Sequence, residues 1–468
     1  MDTLIKNAVI ITMSAAGEVI WDGYLEVKGD RIADVGRTAN LEPDRESRAD
    51  TVIDARGKAL LPGFLNIHCH SPLLACRGRA EDVSNWDAIW GVMSSISTAM
   101  SPDDAYSMSL LAHVEMLKSG ITTAVDSGTH MMRAGEAAVD SGIRAFLHQP
   151  FRDANVDKIR EQGIYEYDPS TGDRELERAI DLVEKFHGRD DGRIQCLLGP
   201  HATDVCSPAL LQKARKEADR LGVGVTIHLA QNELEPRQCL DKWGLRPGRM
   251  LEKAGFLGPD FIGAHGIFLN DEDIAVLSRN GCSVSHNPLI NAKRAHIAPV
   301  PELTGAGVNV GLGTDNMFYD MFETLKAAHM VWRLRTQDPT QPDPEAILRM
   351  ATINGASALG VEKNLGSLEA GKLADLFMVD LNRSRYTPLV QENLITNLVH
   401  FGLSSDVCTV MVGGRTLVDE FKYVGGDEQE ILAEAQQVGS EVWTRAKADW
   451  ARSMAQSSAR RKRGTPER

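Results

Sequence analysis

Four residues in this chain have the side chains and the spacing to hold a divalent metal. His68 and His70, in FLNIHCH, lie two apart, and in a strand that spacing points both imidazoles to one face. His228 closes the run GVGVTIHL and Asp315 closes VNVGLGTD. Three neutral imidazoles and a carboxylate form an N3O ligand set that suits zinc, with iron or cobalt as other occupants. Such an ion lowers the pKa of a bound water toward neutrality and so supplies hydroxide at pH 7, while Asp315 and an adjacent imidazole relay its proton. A lone strand histidine is more often a satisfied core residue; several ligand types closing separate strands argue against that here.

The elements that must carry these residues are legible as alternating patterns. FLNIHCH, ITTAVDS, IRAFLHQ, IQCLLGPH, GVGVTIHL, FIGAHG, CSVSHN and VNVGLGTD are short apolar runs separated by amphipathic stretches. Eight such runs predict an α/β chain folded as a (β/α)8 TIM barrel over residues 59–367, whose active sites collect at the C-terminal strand ends. AVIITM, YLEVKGDRIADVG and TVIDARGKALLPGF near one end, and ADLFMVDL and CTVMVGGRTLVDE near the other, alternate with period two. They predict a small antiparallel β-sandwich built from residues 1–58 and 368–422. Ile431, Ala435, Val438, Val442, Ala446 and Trp450 recur at helical spacing, which predicts a helix over 423–456 packed on the barrel or on a neighbouring subunit. The polar, basic tail at 457–468 reads as disordered.

Composition narrows the partners. With 65 acidic against 51 basic residues the formal charge is -14, which repels nucleic-acid backbones and anionic membrane surfaces. No run of 18 apolar residues is present to span a bilayer, and the first residues do not read as a secretory signal. Seven scattered cysteines, none in a C-x-x-C pair, point to the reducing cytoplasm and away from a disulfide framework.

PGFLNIHCHSPLLACRG at 62–78 resembles the first metal motif of the amidohydrolase superfamily, in the branch of S-adenosylhomocysteine, guanine and cytosine deaminases and triazine hydrolases. LKSGITTAVD, GPHATDVCS, TIHLA, GAHGIFLNDED, SHNPLIN, PVPELTGAGVNVGLGTDN, ATINGASALG and GSLEAGKLADL extend the resemblance over nearly the whole chain. It implies that His68, His70, His228 and Asp315 bind a single metal ion and that His265 polarises the attacked carbon and manages protons. His201 and Asn316 are implied substrate contacts, and a homodimer or larger assembly is implied as well. No lysine closes a strand to bridge a second ion.

The chain departs from the branch at one proton carrier. Three residues after His228, where its deaminases have a glutamate that protonates a ring nitrogen, stands Gln231. A primary amide orients a carbonyl or an N–H but does not titrate. Glu235 matches a further glutamate of the motif; it and Glu233 read as solvated first-turn carboxylates of a helix. Ala295 and His296 replace a Ser-Gly-like pair before IAPV, so His296 is a pocket candidate, although loop histidines are more commonly structural. Trp86 and Trp90, with Val92 and Met93, would form an apolar wall or a helix core. Arg152, Tyr165 and Tyr167 are weaker candidates.

These readings converge on a small-molecule hydrolase of a non-peptide carbon–nitrogen bond. Loss of the ring-protonating acid favours an open-chain urea, carbamate, thiocarbamate or amide-like substrate. The alternative is deamination or dechlorination of an N-heteroaromatic ring such as a purine, pyrimidine or triazine. A non-catalytic scaffold on the same fold predicts eroded ligands, and all four are present.

Overall fold

Strand-forming segments fall into two groups that differ in how they pair. In the computed structural model, which describes residues 2–462, the chain opens with β1 (Thr3–Ile11), β2 (Val19–Lys28), β3 (Arg31–Arg37), β4 (Thr51–Asp54) and β5 (Lys58–Pro62). The first three form an antiparallel meander, whereas β4 and β5 run parallel to β1. There follow β6 (Phe64–Cys69), β7 (Ile121–Ser127), β8 (Arg144–His148), β9 (Pro150–Phe151), β10 (Ile194–Cys196), β11 (Gly199–Pro200), β12 (Val225–Leu229), β13 (Phe261–His265), β14 (Ser283–His286) and β15 (Asn309–Leu312). Every pairing among these ten is parallel. Finally β16 (Leu376–Asp380), β17 (Val407–Val412), β18 (Arg415–Asp419) and β19 (Lys422–Tyr423) return antiparallel to β5.

Eight of the parallel strands form two sheets, β6–β7–β8–β10 and β12–β13–β14–β15, which meet at both seams, while β9 and β11 pair as a short third sheet. At one seam Leu198 bridges Val225; at the other Cys69 bridges Asp315, with the Asp315 amide donating to the His68 carbonyl at 3.0 Å and the His70 amide donating to the Asp315 carbonyl at 3.2 Å. Strands β6, β7, β8, β12, β13 and β14 are buried along their whole length, as expected where helices cover the outer face and side chains fill the inner one. The intervening helices start on sequence-local caps. Ser101 and Asp104 form a capping box ahead of Pro102–Lys118, as do Asn270 and Asp273 ahead of Asp271–Arg279, and Ser207 with Pro208 starts Pro208–Leu221 before Gly222 ends it in the left-handed region. These devices satisfy the orphan amides and carbonyls of helix ends.

Both chain ends share one continuous nine-stranded sheet, with β5 between β1 and β16. By pairing this is a single mixed sheet and not a purely antiparallel one, since β4 and β5 lie parallel to β1. Ile5, Ile10, Leu25, Val27, Leu60, Leu376, Met378 and Met411 form its core. The expected boundary at residue 58 also moves: Ala59–Pro62 pair with β16, so this sheet ends at Pro62. Within the returning segment, Leu394–Phe401 is helical.

The C-terminal helix runs Glu428–Lys462, not 423–456, since Lys422 and Tyr423 form the last strand. The first part of the expected disordered tail, 457–462, is therefore helical; 463–468 lies outside the described residues. Ala435, Val442 and Ala446 are buried, and Trp443 donates to the Ala75 carbonyl at 2.6 Å, so the helix packs on its own chain. Among the described residues no helix is long and apolar enough to cross a membrane.

Candidate active site

Strand ends and strand pairing bring the four expected ligand residues together. His70 Nε2 lies 3.3 Å from Asp315 Oδ1, His68 Nε2 lies 3.6 Å from the same oxygen, and His70 Nε2 faces His228 Nε2 at 3.2 Å. His265 joins His68 and His228 with nitrogens within 4.8 Å of one another. The chain must approach closely to do this: a Cβ on Gly313 would meet Ser285 Oγ at 2.6 Å and the His68 carbonyl at 2.9 Å. Asp315 and His265 themselves adopt φ of +63° and +77°, a strain that non-glycine residues store at functional sites.

This donor set fits a divalent cation. Nδ1 of His70 lies 3.1 Å from the Ser127 carbonyl, and Nδ1 of His228 lies 2.6 Å from the His201 carbonyl; a nitrogen facing a carbonyl carries the proton, which leaves each Nε2 as a bare lone pair. Two such lone pairs 3.2 Å apart repel unless a cation lies against both. Neither nitrogen of the buried His68 has a hydrogen-bond partner. Burial pushes the His68 pKa down to about 4 and holds His228 well below its usual range, keeping both in the neutral form that binds metal. Burial works against ionisation of Asp315, but the adjacent His68 and His70 outweigh it and hold its carboxyl well below the ordinary value.

Behind His70 lies a buried network that sequence reasoning missed. Asp126 accepts from the Ser71 amide at 2.8 Å, the Ser71 hydroxyl at 2.5 Å and His113 Nε2 at 3.0 Å. Ser127 also meets His70 Nδ1 through its hydroxyl at 2.8 Å. Adjacent residues of β7 thus fix both the ring of His70 and the chain that follows it. The ITTAVDS run carries the signal, an acid in an otherwise apolar strand end. His265 Nδ1 is met by Asn291 Oδ1 at 3.1 Å and Asn287 Nδ2 at 3.2 Å, so SHNPLIN supplies the bracket that orients it.

A cavity of about 610 Å³ opens over this cluster. His70, His228, His265 and Asp315 line its floor; Gln231, His201, Trp90, His296 and Asn316 line its walls, together with Arg152, Glu175 and Arg294. Trp90 is delivered by a π-helical turn, Asp87–Met93, a distortion frequent at functional sites. His296 packs edge-on against Phe268, ring centroids 5.1 Å apart. Trp86 lines a smaller adjoining pocket, and Val92 is core.

The two glutamates after Gln231 part company. Glu233 is exposed at the start of helix Leu234–Trp243. Glu235 is fully buried, a correction to the expected solvated helix start: its carboxyl group accepts from the Gln231 backbone N–H at 2.9 Å and the Thr203 hydroxyl at 2.5 Å. It braces the loop after His228, and the helix direction turns this second first-turn residue inward. Burial, reinforced by the nearby Asp204, pushes its pKa up to about 8.

The amidohydrolase family model matches residues 59–417, and the chain belongs to that family. It is 36% identical over 453 residues to a 5'-deoxyadenosine deaminase of Methanosarcina barkeri, covering 96% of this chain and 100% of that protein. It is also 36% identical over 428 residues to a 5-methylthioadenosine/S-adenosylhomocysteine deaminase of Thermococcus onnurineus, covering 89% of this chain and 94% of the other. In structure it is similar to an adenosine deaminase of Xanthomonas campestris with bound zinc, at a TM-score of 0.86 and 27% identity over 95% of this chain and 99% of that one. The chain is a hydrolase acting on carbon–nitrogen bonds. Both relatives are deaminases of adenosine derivatives.

Proposed function

We propose that this protein is a mononuclear metal-dependent aminohydrolase that removes an amino group from an N-heteroaromatic ring of the adenine type. The observation that carries this reading is the meeting of His70, His228, Asp315 and His265 on the floor of one cavity with His68 clustered behind them, together with the deaminase relatives. His68, His70, His228 and Asp315 would hold one divalent ion, zinc as first choice and iron or cobalt as alternatives. When bound, that ion supplies Lewis acidity and a nucleophile at neutral pH.

The residues supply the rest. Asp315, held ionised, takes a proton at its carboxylate oxygen. His265, its Nδ1 bracketed by asparagines, offers Nε2 to the reacting centre. Gln231 reaches the cavity with two N–H donors and a carbonyl, enough to hold a ring nitrogen or orient a leaving amine but not to release a proton. Proton delivery to the amine therefore falls to Asp315 or His265. His201, Trp90, His296 and Asn316 position the substrate, with Trp86 beside them. The parallel pairings, joined at both seams, support a closed (β/α)8 barrel, and the shared core of β1–β5 and β16–β19 supports a sheet folded over itself as a sandwich. A homodimer or larger assembly and a cytoplasmic setting belong to the same reading, the latter supported by seven buried, unpaired cysteines.

A second reading, hydrolysis of an open-chain urea, carbamate, thiocarbamate or amide, is favoured by Gln231 alone. One screen separates the two: ammonia release from adenosine and 5'-deoxyadenosine beside hydrolysis of aryl ureas and carbamates. Ammonia from the adenine ring is expected. Turnover confined to ureas or carbamates would overturn the proposal.

A further inference from the structure

A small pocket of about 30 Å³ adjoins the main cavity and shares Asn85, Ile89, Trp90, His201 and Gln231 with it. We propose that it is a substrate subsite for a compact N–H donor group, an amino or small alkylammonium group, with Asp204 as acceptor and Trp86, Trp90 and Tyr165 as walls. The proposal rests on the reading above only in placing the reacting carbon at the His68, His70, His228 and Asp315 cluster.

Asp204 is 5% exposed and lines this pocket. Its Oδ2 accepts from the Tyr165 hydroxyl at 3.1 Å, and its backbone carbonyl accepts from the Tyr167 hydroxyl at 2.8 Å, so two tyrosines from the segment before Asp168 hold it in place. The positive charge acting on it is that of Arg152, which lines the main cavity and makes no ion pair with it. Glu235, buried as well and held protonated by that burial, leaves Asp204 as the charged acid of the pair. A buried carboxylate without a cation is costly unless a donor reaches it. The aromatic walls add to that demand: Trp86 and Trp90 lie 5.8 Å apart at a tilt, with Tyr165 beside the acid, and such faces attract positive charge. A second polar atom is unfilled at the shared wall, since His201 Nδ1 is buried with no hydrogen-bond partner. The volume exceeds the roughly 10–15 Å³ that one water needs but admits little more than a compact group. An apolar methyl would add nothing to the one hydroxyl that Tyr165 supplies, whereas an N–H group adds a second donor.

The test uses the full chain loaded with zinc, with methylammonium and methanol as probes of matched size. Binding is read by the fluorescence of the pocket tryptophans and by calorimetry, in wild type, Asp204→Asn and Trp86→Leu. Methylammonium is expected to bind at least fivefold more tightly than methanol in wild type. Asp204→Asn should remove that preference with zinc content unchanged, and Trp86→Leu should weaken methylammonium selectively. Equal affinity for the two probes in wild type overturns the proposal whatever the variants do, and so does an undiminished preference in Asp204→Asn. A turnover arm compares adenine-ring substrates bearing a peripheral amino or methyl group. KM should rise in Asp204→Asn for the amino member alone. Absence of ring deamination alongside Asp204-dependent methylammonium binding would sink the proposed reaction and keep the subsite.

Discussion

His228 and Asp315 reach the cluster from strands that close opposite seams, so each is indispensable to the donor set for a reason of its own. His228→Ala and Asp315→Ala should each lose both metal and turnover, read by elemental analysis against about one ion per wild-type chain; two ions per chain would refute the mononuclear assignment. Gln231 leads to a different expectation. If the reaction is ring deamination short of an acid, Gln231→Glu should raise kcat for ammonia release by tenfold or more, the scale of general acid catalysis being about 10² to 10⁴. An unchanged kcat would mean that Asp315 or His265 already meets the demand. Glu235 offers a pH signature. Its pKa rises from an ordinary 4.5 to about 8 on folding, so between those values the folded protein holds a proton that the unfolded chain has released, and stability falls as pH rises through that window. Asp204, raised to about 6 by burial, acts in the same direction at lower pH. Glu235→Gln keeps an acceptor for Thr203 and removes the titration. Its Tm relative to wild type should climb between pH 5 and pH 8.5, by on the order of 2 °C; a flat difference would count against a neutral buried Glu235.

At the scale of elements, the loop after β6 and the C-terminal helix act as one unit. Arg79 lies over Trp443 at 4.3 Å and Trp450 at 5.2 Å, and the Ser453 hydroxyl donates to the Trp90 carbonyl at 3.3 Å. Asp449 accepts from Ser95 at 3.0 Å and from Arg160 at 3.3 Å. The helix thus props the π-helical turn that places Trp90 on the cavity wall. Trp443→Ala should loosen that wall and raise KM about fivefold, the equivalent of about 1 kcal/mol, with metal content and kcat little changed. A matching fall in kcat or loss of metal would show that the helix supports more than the wall. The element behind His70 has its own test. Asp126→Asn should weaken zinc binding by about 10- to 100-fold, the usual cost of losing a residue that orients a ligand, measured by competition with a chelator.

Across the whole molecule, the central strands are tied to the sheet built by the chain ends through one buried ion pair. Arg144, on β8, donates to both carboxylate oxygens of Asp375 at 2.8 and 2.9 Å, and the Gly413 amide donates to the same carboxylate at 2.7 Å. Removing one partner strands a buried charge, so Arg144→Ala should cost about 3–5 kcal/mol in denaturant unfolding, whereas replacing both partners by apolar residues should cost far less. Much of this architecture was legible beforehand: period-two runs, apolar runs ending in His or Asp, and helical spacing around Val442 each report burial on one or two faces of a local element. The candidate ligands His68, His70, His228 and Asp315 stood out because their residue types are rare at strand ends. Boundaries were less legible. Ala59–Pro62 joined the terminal sheet through a pairing with β16, more than 300 residues away in sequence, and the final helix outran its apolar pattern. What the sequence by itself determined is therefore the local: element types, the candidate ligand set, and the loss of a titrating acid at Gln231. What only the tertiary structure decided is the environment of each polar group. Glu235 reads in sequence as a solvated helix-start acid and Asp204 carries no mark at all; burial and proximity to each other are properties of the packed chain, set by which segments meet, and these decide whether a carboxylate is a solvated surface group or part of a site.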